Sequence, residues 1–458
     1  MFPGQPRWRC RDGASGMADS TLDEIRERRK AWAKRHASGV WEAWLELGAE
    51  FRSIRRAFLQ ISHDGKVDRV DRAKAAVEAG NGLSEVGRDF EALDLFSDAI
   101  RLNPADPMAR GSRGITLAQL APFFHTQGSH TLLATRALDD LTFALAKADE
   151  LHEVTKANFE RWHDLVTRRP KGSPAPGVEG PYEDPYAEWC FRHGLLLTPL
   201  RDFRPPPDEL DRLHIKGLTT KIDDLIDGPA VPAPFAAMNA LKRDYLTARI
   251  LAWTALEAPD QLRLAERSET AHYVETLDYA TWDLGSGLAA TALASAVDVA
   301  DKVGVFMVMW LTLPQPPNKA NDRNWCLQPR GAKTALAPEL TSILAQHADR
   351  LAGLLGLMDL SRDQDETGSR RSDALRALRD AATHRFLAIR LEGDGKSTDF
   401  VQGVSYYKLE RAVMDALAHD RRLLLQLSLA ISEKEGLERK PGLPGLTLDK
   451  HRPIRGRP

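Results

Sequence analysis

From Ser20 onward, apolar side chains recur at spacings of three and four, with Ala, Leu, Glu and Arg filling the positions between them. That is the period of an amphipathic helix, not the alternation of a half-buried strand. Alternating stretches are scarce, so the pattern predicts an all-α chain. Its 458 residues, 43% hydrophobic and 28% charged, carry enough apolar surface for more than one buried core and exclude a disordered or collagenous polymer. The longest apolar run, from Gly285 to Leu313, is interrupted by Asp298, Asp301 and Lys302. Each of these is costly at the centre of a bilayer, so the run predicts a buried helix and no membrane association. The 63 Lys+Arg nearly cancel the 65 Asp+Glu, so a nucleic acid would have to be held by a local patch instead of the field of the whole chain.

A repeat can be found by subtraction. Gly80, Leu83, Ala92, Phe96, Ala99 and Pro104 fall at the offsets of a tetratricopeptide unit, and Gly114 and Leu117 follow Gly80 and Leu83 by 34 residues. Ala137, Leu141 and Ala144 keep the internal spacing of Ala92, Phe96 and Ala99 but lie 45 residues on, which implies an 11-residue insertion around APFFHTQGSHT. Small residues at such positions let antiparallel helices approach, while Phe96 and Leu141 fill the gaps between pairs. Generic helix packing is the alternative. Either way, residues 20–168 predict a helical scaffold of tetratricopeptide-like hairpins.

Before it, residues 1–19 read as a disordered leader. MFPGQPRWRCRDGASG has charges where a signal peptide needs an apolar stretch, and Met17 opens a second start, MADSTLDEIRERR. After it, the Pro- and Gly-rich segment RRPKGSPAPGVEGPYEDP predicts a linker over 169–184 and a second domain over 185–435. Helices are expected near 236–257, 262–281 and 286–313, and SRDQDETGSRRS, residues 361–372, as a charged loop. The basic, Pro-rich residues 436–458 read as a disordered tail with non-specific affinity for nucleic acid. Cys10, Cys190 and Cys326 make neither a disulfide framework nor a zinc pattern, and a reducing cytoplasm is the expected location.

Several motifs fail. Gly395-Lys396-Ser397-Thr398 ends like a phosphate-binding loop, but Arg390 stands where the loop needs its first glycine. There is no H-E-x-x-H, and no i, i+4 histidine pair, so neither a metal nor another cofactor is expected. What remains is Arg379, four residues, then His384, in LRALRDAATHRFLAI. Arg29 with His36, Arg56 with His63, and Arg267 with His272 have similar spacing. The first segment differs in its context: Asp380 follows the arginine, two alanines permit close helix approach, and Leu375, Leu378, Phe386 and Leu387 are available to bury the opposite surface. On a helix Asp380 and His384 are i and i+4, close enough for the carboxylate to orient the imidazole and favour its protonated form, whereas Arg379 and His384 lie roughly 140° apart around the axis. A site using both needs the arginine to reach round, the helix to break, or a second copy to supply one of them.

LRDAATHRF resembles the R-x4-6-H motif of the HEPN superfamily, compact all-helical domains many of which are metal-independent ribonucleases. EWCFRHGLLLTPLRDF, LKRDYLTARIL, TAHYVETLDYATWDL and the long helix to Leu313 resemble the bacterial LA-type HEPN branch, in which such a domain follows a tetratricopeptide-like region. The resemblance implies a homodimer in which two such motifs meet, with RNA as substrate in a defence or toxin-type system. It implies catalytic roles for Arg379, His384 and Asp380.

The chemistry suits the residues. RNA carries its own nucleophile, the 2′-OH, so cleavage needs a proton shuttle and a phosphate clamp, and an imidazole and a guanidinium supply these. The product would be a 2′,3′-cyclic phosphate. Lys242, Tyr245 and Arg249, at spacings of three and four, form a candidate RNA-binding face, and Trp189, Trp253, Trp282, Trp310 and Trp325 could stack on bases. Arg376, Asp380 and His384 also form an i, i+4 row, which by itself describes solvated ion pairs. Three readings follow: a metal-independent endoribonuclease whose scaffold binds a protein partner, a non-catalytic RNA- or nucleotide-binding protein, and a helical adaptor.

Overall fold

The computed structural model describes residues 21–35, 40–123, 127–169, 177–211, 213, 233–258, 267, 269, 280–328, 336–347, 350–366, 370–384, 386–390, 393, 397 and 401–438. The leader with Met17, most of the C-terminal tail, His272, Lys396 and most of the 262–281 segment lie outside the described residues.

The chain is helical as its periodicity predicts. Among the described residues, seven helices come first: α1 (Leu22–Arg35), α2 (Val40–His63), α3 (Arg69–Ser84), α4 (Asp89–Leu102), α5 (Pro107–Leu120), α6 (Gln127–Leu145) and α7 (Glu153–Thr167). Starts are set by side-chain caps. Asp68 accepts from Val70 N before α3, and Asp106 accepts from Met108 N before α5, which opens on Pro107. Consecutive helices pack as the small-and-large pattern anticipates. A Cβ on Gly80 would lie 2.6 Å from the Phe96 ring, and one on Gly114 would lie 2.8 Å from Leu141, so hydrogen is the only substituent that lets these pairs close. The delay between α5 and α6 falls in the insertion, where Ala121–Phe123 form one 3-10 turn.

Among the described residues, the second part comprises α8 (Pro185–Arg192), α9 (Ala233–Leu256), α10 (Leu284–Trp310), α11 (Pro338–His347), α12 (Ala352–Glu366), α13 (Arg370–His384) and α14 (Tyr406–Glu438). Long α10 lies against α9, α13 and α14 at its centre. Asp283 caps α10 by accepting from Ser286 N at 2.7 Å.

Three expectations need correction. A small sheet interrupts the helices, with strands β1 (Ala280–Thr281), β2 (Phe386–Arg390) and β3 (Val401–Ser405) in the order β1-β2-β3. β1 runs antiparallel to β2, so Ala280 and Thr281 end the anticipated 262–281 helix in a strand, and β2 runs parallel to β3 with Phe386 opposite Val401. Five and two residues are too short to show a clear alternation, and tertiary pairing decides them. The charged 361–372 segment is helix at both ends, belonging to α12 and α13, because Ser361 and Arg362 are buried against neighbouring elements. The first residues of the expected disordered tail are helical, since α14 runs on to Glu438.

No free hinge is visible between the two parts among the described residues. One hydrophobic core runs from Ile25 through Trp189 to Ile431. Residues of the expected linker are tied down: Val178 N donates to Arg204 O at 2.9 Å, and buried Tyr182 donates its hydroxyl to Pro205 O at 2.7 Å. Across the junction, fully buried Asp359 on α12 meets Arg52 (3.1 Å), Arg55 (2.8 Å) and Arg88 (2.9 Å) from α2 and the start of α4. Gln426 on α14 donates to both Gly87 O (2.7 Å) and Gly353 O (3.0 Å).

Candidate functional site

The segment singled out by sequence forms one unbroken helix, α13, and His384 is its last residue. Both routes to a joint site within one chain are therefore closed. The helix does not break, and Arg379 turns toward α10 instead of round to His384. Its Nη2 donates to Asp298 at 2.8 Å and its Nη1 to Asp380 at 2.9 Å. These two carboxylates hold the guanidinium even more firmly in its charged form.

The i, i+4 row divides differently from the expectation. Asp380 is engaged with Arg379, its neighbour in sequence, while Arg376 reaches Asp301 (3.1 Å) and Asp322. Paired carboxylates on α10 at i and i+3 thus receive two arginines of α13 at i and i+3, because both helices present those positions on facing sides. Two of the three charges that ruled out a membrane span, Asp298 and Asp301, are the ones that dock α13. Thr383 donates to the Arg379 carbonyl at 2.9 Å, and His384 and Asp380 are exposed to solvent.

Of the apolar residues expected to support α13, Leu378 is buried beside Ala381 and Leu387 packs against the core, but Phe386 stands on β2 and is 64% exposed, because the helix ends before it. The Leu375 side chain lies outside the described residues. Beneath the Arg376 contacts lies a group that sequence reasoning missed. Asp322, His419 and Asp420 come from a loop and α14. Asp420 is fully buried without a hydrogen bond to either carboxylate oxygen, and burial with nearby Asp322 and Asp301 pushes its pKa far up. No local spacing links residues 301, 322, 376 and 420, so only the fold reveals them.

The expected RNA-binding face on α9 is a correction. Tyr245 and Arg249 point inward: Tyr245 donates to Leu195 O at 2.6 Å, and Arg249 donates to Leu195 O at 2.9 Å and to Asp211 at 2.8 Å. A three- and four-residue spacing marks one face of a helix without saying which way it points, and here the face closes over the 195–211 segment. Lys242 is half-buried and spends a donor on Leu213 O at 3.1 Å. Trp189 and Trp325 are core residues, the latter donating to Ser361 at 2.7 Å. Cys190 and Cys326 are buried and in no disulfide, and burial pushes the Cys190 thiol up to about 12. Among the described residues, no three His, Cys, Asp or Glu side chains gather as metal ligands, and no helix is long and apolar enough to cross a membrane.

The region holding α9 to α14 matches a family model, described as LA2681-like HEPN, over residues 227–434. The chain carries an LA2681-like HEPN domain. α13, with Arg379, Asp380 and His384, lies inside the matched span, as do Asp298 and the buried cluster at Asp420. The match begins after α8, so EWCFRHGLLLTPLRDF precedes it. The match supports a ribonuclease or nucleotide-binding role of HEPN type for this domain. Neither a curated protein nor a solved structure matches the chain.

Proposed function

We propose that this protein is a metal-independent endoribonuclease whose active site forms when two HEPN domains bring their α13 helices together. The observation that carries the reading is the R-x4-H sequence of Arg379 and His384 on one continuous helix inside a matched HEPN domain, with the imidazole exposed at the helix end. On this reading Arg379 binds the scissile phosphate and stabilises its developing charge. His384 takes the proton from the 2′-OH as that oxygen attacks phosphorus. The P–O5′ bond then breaks, and a proton is delivered to the departing 5′-oxygen. A 2′,3′-cyclic phosphate and a free 5′-OH result. Asp380 holds Arg379 from the adjacent position, and the helical hairpins of residues 20–168 act as a tetratricopeptide-like scaffold for a protein partner, in a defence or toxin-type system.

One observation favours a second reading. Both Nη groups of Arg379 are occupied by carboxylates within the single chain, which suits a domain that binds RNA or nucleotide without cutting it. Purified protein incubated with total RNA and EDTA separates the two. The proposal expects cleavage to cyclic-phosphate ends, abolished in a folded His384→Ala variant. Cleavage that survives in His384→Ala, or RNA retained intact by the wild-type chain, would overturn it.

A further inference from the structure

Arg379 can take a phosphate only through N–H groups that are not otherwise engaged. A guanidinium grips a phosphate through two neighbouring N–H groups, either the Nη pair or Nε with one Nη. In this fold the Nη pair is split between Asp298 and Asp380, at 2.8 and 2.9 Å. Nε is buried and has no hydrogen-bond partner, so it faces protein instead of solvent. Neither fork is free of protein as the side chain is held, because each Nη already gives one N–H to a carboxylate and Nε is covered. A phosphodiester gripped bidentately therefore competes with a carboxylate for the guanidinium.

The two carboxylates differ. Asp380 is the next residue on α13 and moves with Arg379. Asp298 comes from α10, 81 residues away in sequence, and fixes the guanidinium from outside its own helix. Its side chain is 47% exposed and that of Arg379 25%, so an incoming phosphate can reach the contact. Losing it would not undock the helix, because Arg376 keeps its own pairing with Asp301 and Asp322 one turn away. We propose that Asp298 is a built-in competitor for the substrate phosphate, occupying Arg379 in the free protein and displaced when RNA binds. Asp298 then sets how tightly RNA is held and takes no part in the bond-making step. The inference rests on the assignment of Arg379 as the phosphate-binding group.

The test uses the full chain. In the His384→Ala background, which keeps RNA uncut on the reading above, Asp298→Asn is expected to tighten binding of a labelled single-stranded oligoribonucleotide by about two- to five-fold, the range for losing a partly exposed ion pair. Asp298→Glu retains the charge and is expected to leave affinity at the starting value. With His384 present, Asp298→Asn should raise the cleavage rate at subsaturating RNA by the same factor. Thermal melting identifies any variant that fails to fold, and for such a variant Asp298→Glu carries the comparison against Asp298→Ser. Affinity that is unchanged or weaker in folded Asp298→Asn, or a fall in kcat, would overturn the proposal and make Asp298 a positioning residue. Cleavage by the wild-type chain with unchanged Asp298→Asn affinity rejects the competitor alone. Tighter binding in Asp298→Asn with no cleavage by any form rejects the nuclease alone. A chain that neither binds nor cuts RNA rejects both.

Discussion

Replacement of Glu433 by Gln probes the seam between the N-terminal helices and the HEPN domain. Glu433 lies on α14, buried, and accepts a hydrogen bond from Gly353 N at 2.6 Å. Burial, aided by Asp89 across the seam, pushes its pKa up to about 8. Asp89 is itself buried at the start of α4, and burial raises it to about 6 against the hydrogen bond from Ser84. In an unfolded chain both groups titrate near 4, so between that point and their raised values the folded protein holds protons that the unfolded chain has lost. Stability therefore falls as pH rises through the window, by about 1.4 kcal/mol per pH unit for each group. For Glu433 the decline runs from about pH 4.5 to about pH 8, and reaches roughly 3 kcal/mol by pH 7. The substituted side chain would be neutral throughout. Its carbonyl can still accept from Gly353, while its amide hydrogens lack an assured partner, at a cost of about 1–3 kcal/mol that does not vary with pH. The expected result is a difference in urea-unfolding free energy between variant and wild type that swings in favour of Glu433→Gln by about 3 kcal/mol from pH 4.5 to 7. The residual slope from Asp89, ending near pH 6, is common to both proteins. Parallel stability curves across pH 5–8 would refute the reasoning and show Glu433 to be ionised at its site.

Two further perturbations test the same seam. Asp359→Ala leaves the buried guanidiniums of Arg52, Arg55 and Arg88 without their shared carboxylate, and a loss of about 3–5 kcal/mol in unfolding free energy is expected, moderated by Asp363, which also faces Arg55 and Arg88. These arginines hold the Asp359 carboxyl far below the usual carboxylate range, so its contribution is present above about pH 4 and disappears only as pH falls through that depressed pKa. A loss under about 1 kcal/mol would show the charges to be hydrated. Gly87→Ala combines two penalties: a φ of +77°, and a Cβ that would lie 1.9 Å from Ala352 O. Gly180→Ala meets only the first, at a φ of +78° with nothing near. Melting should show Gly87→Ala destabilised by at least about 2 kcal/mol more than Gly180→Ala, and equal losses would mean that the seam yields.

Much of this was legible in the order of residues, and what was legible was local. Helical periodicity is written within a few positions, so the all-α class, the small positions Gly80 and Gly114, the space-filling Phe96 and Leu141, and a helix around Arg379 could all be read in advance. The R-x4-H segment and its neighbours pointed to the HEPN family for the same reason. The direction a helical face points is not local. Tyr245 and Arg249 have the spacing of a binding stripe, yet the fold closes the 195–211 segment over them, and the short strands at 280–281 and 386–390 exist only because the chain brings them side by side. The partner of each buried charge likewise depends on elements far apart in sequence. Asp359 meets Arg52 from 307 positions earlier, and Asp298 holds Arg379 across 81 residues. A carboxylate at close range decides whether a guanidinium is available to a phosphate, and that distance is set by how the helices pack.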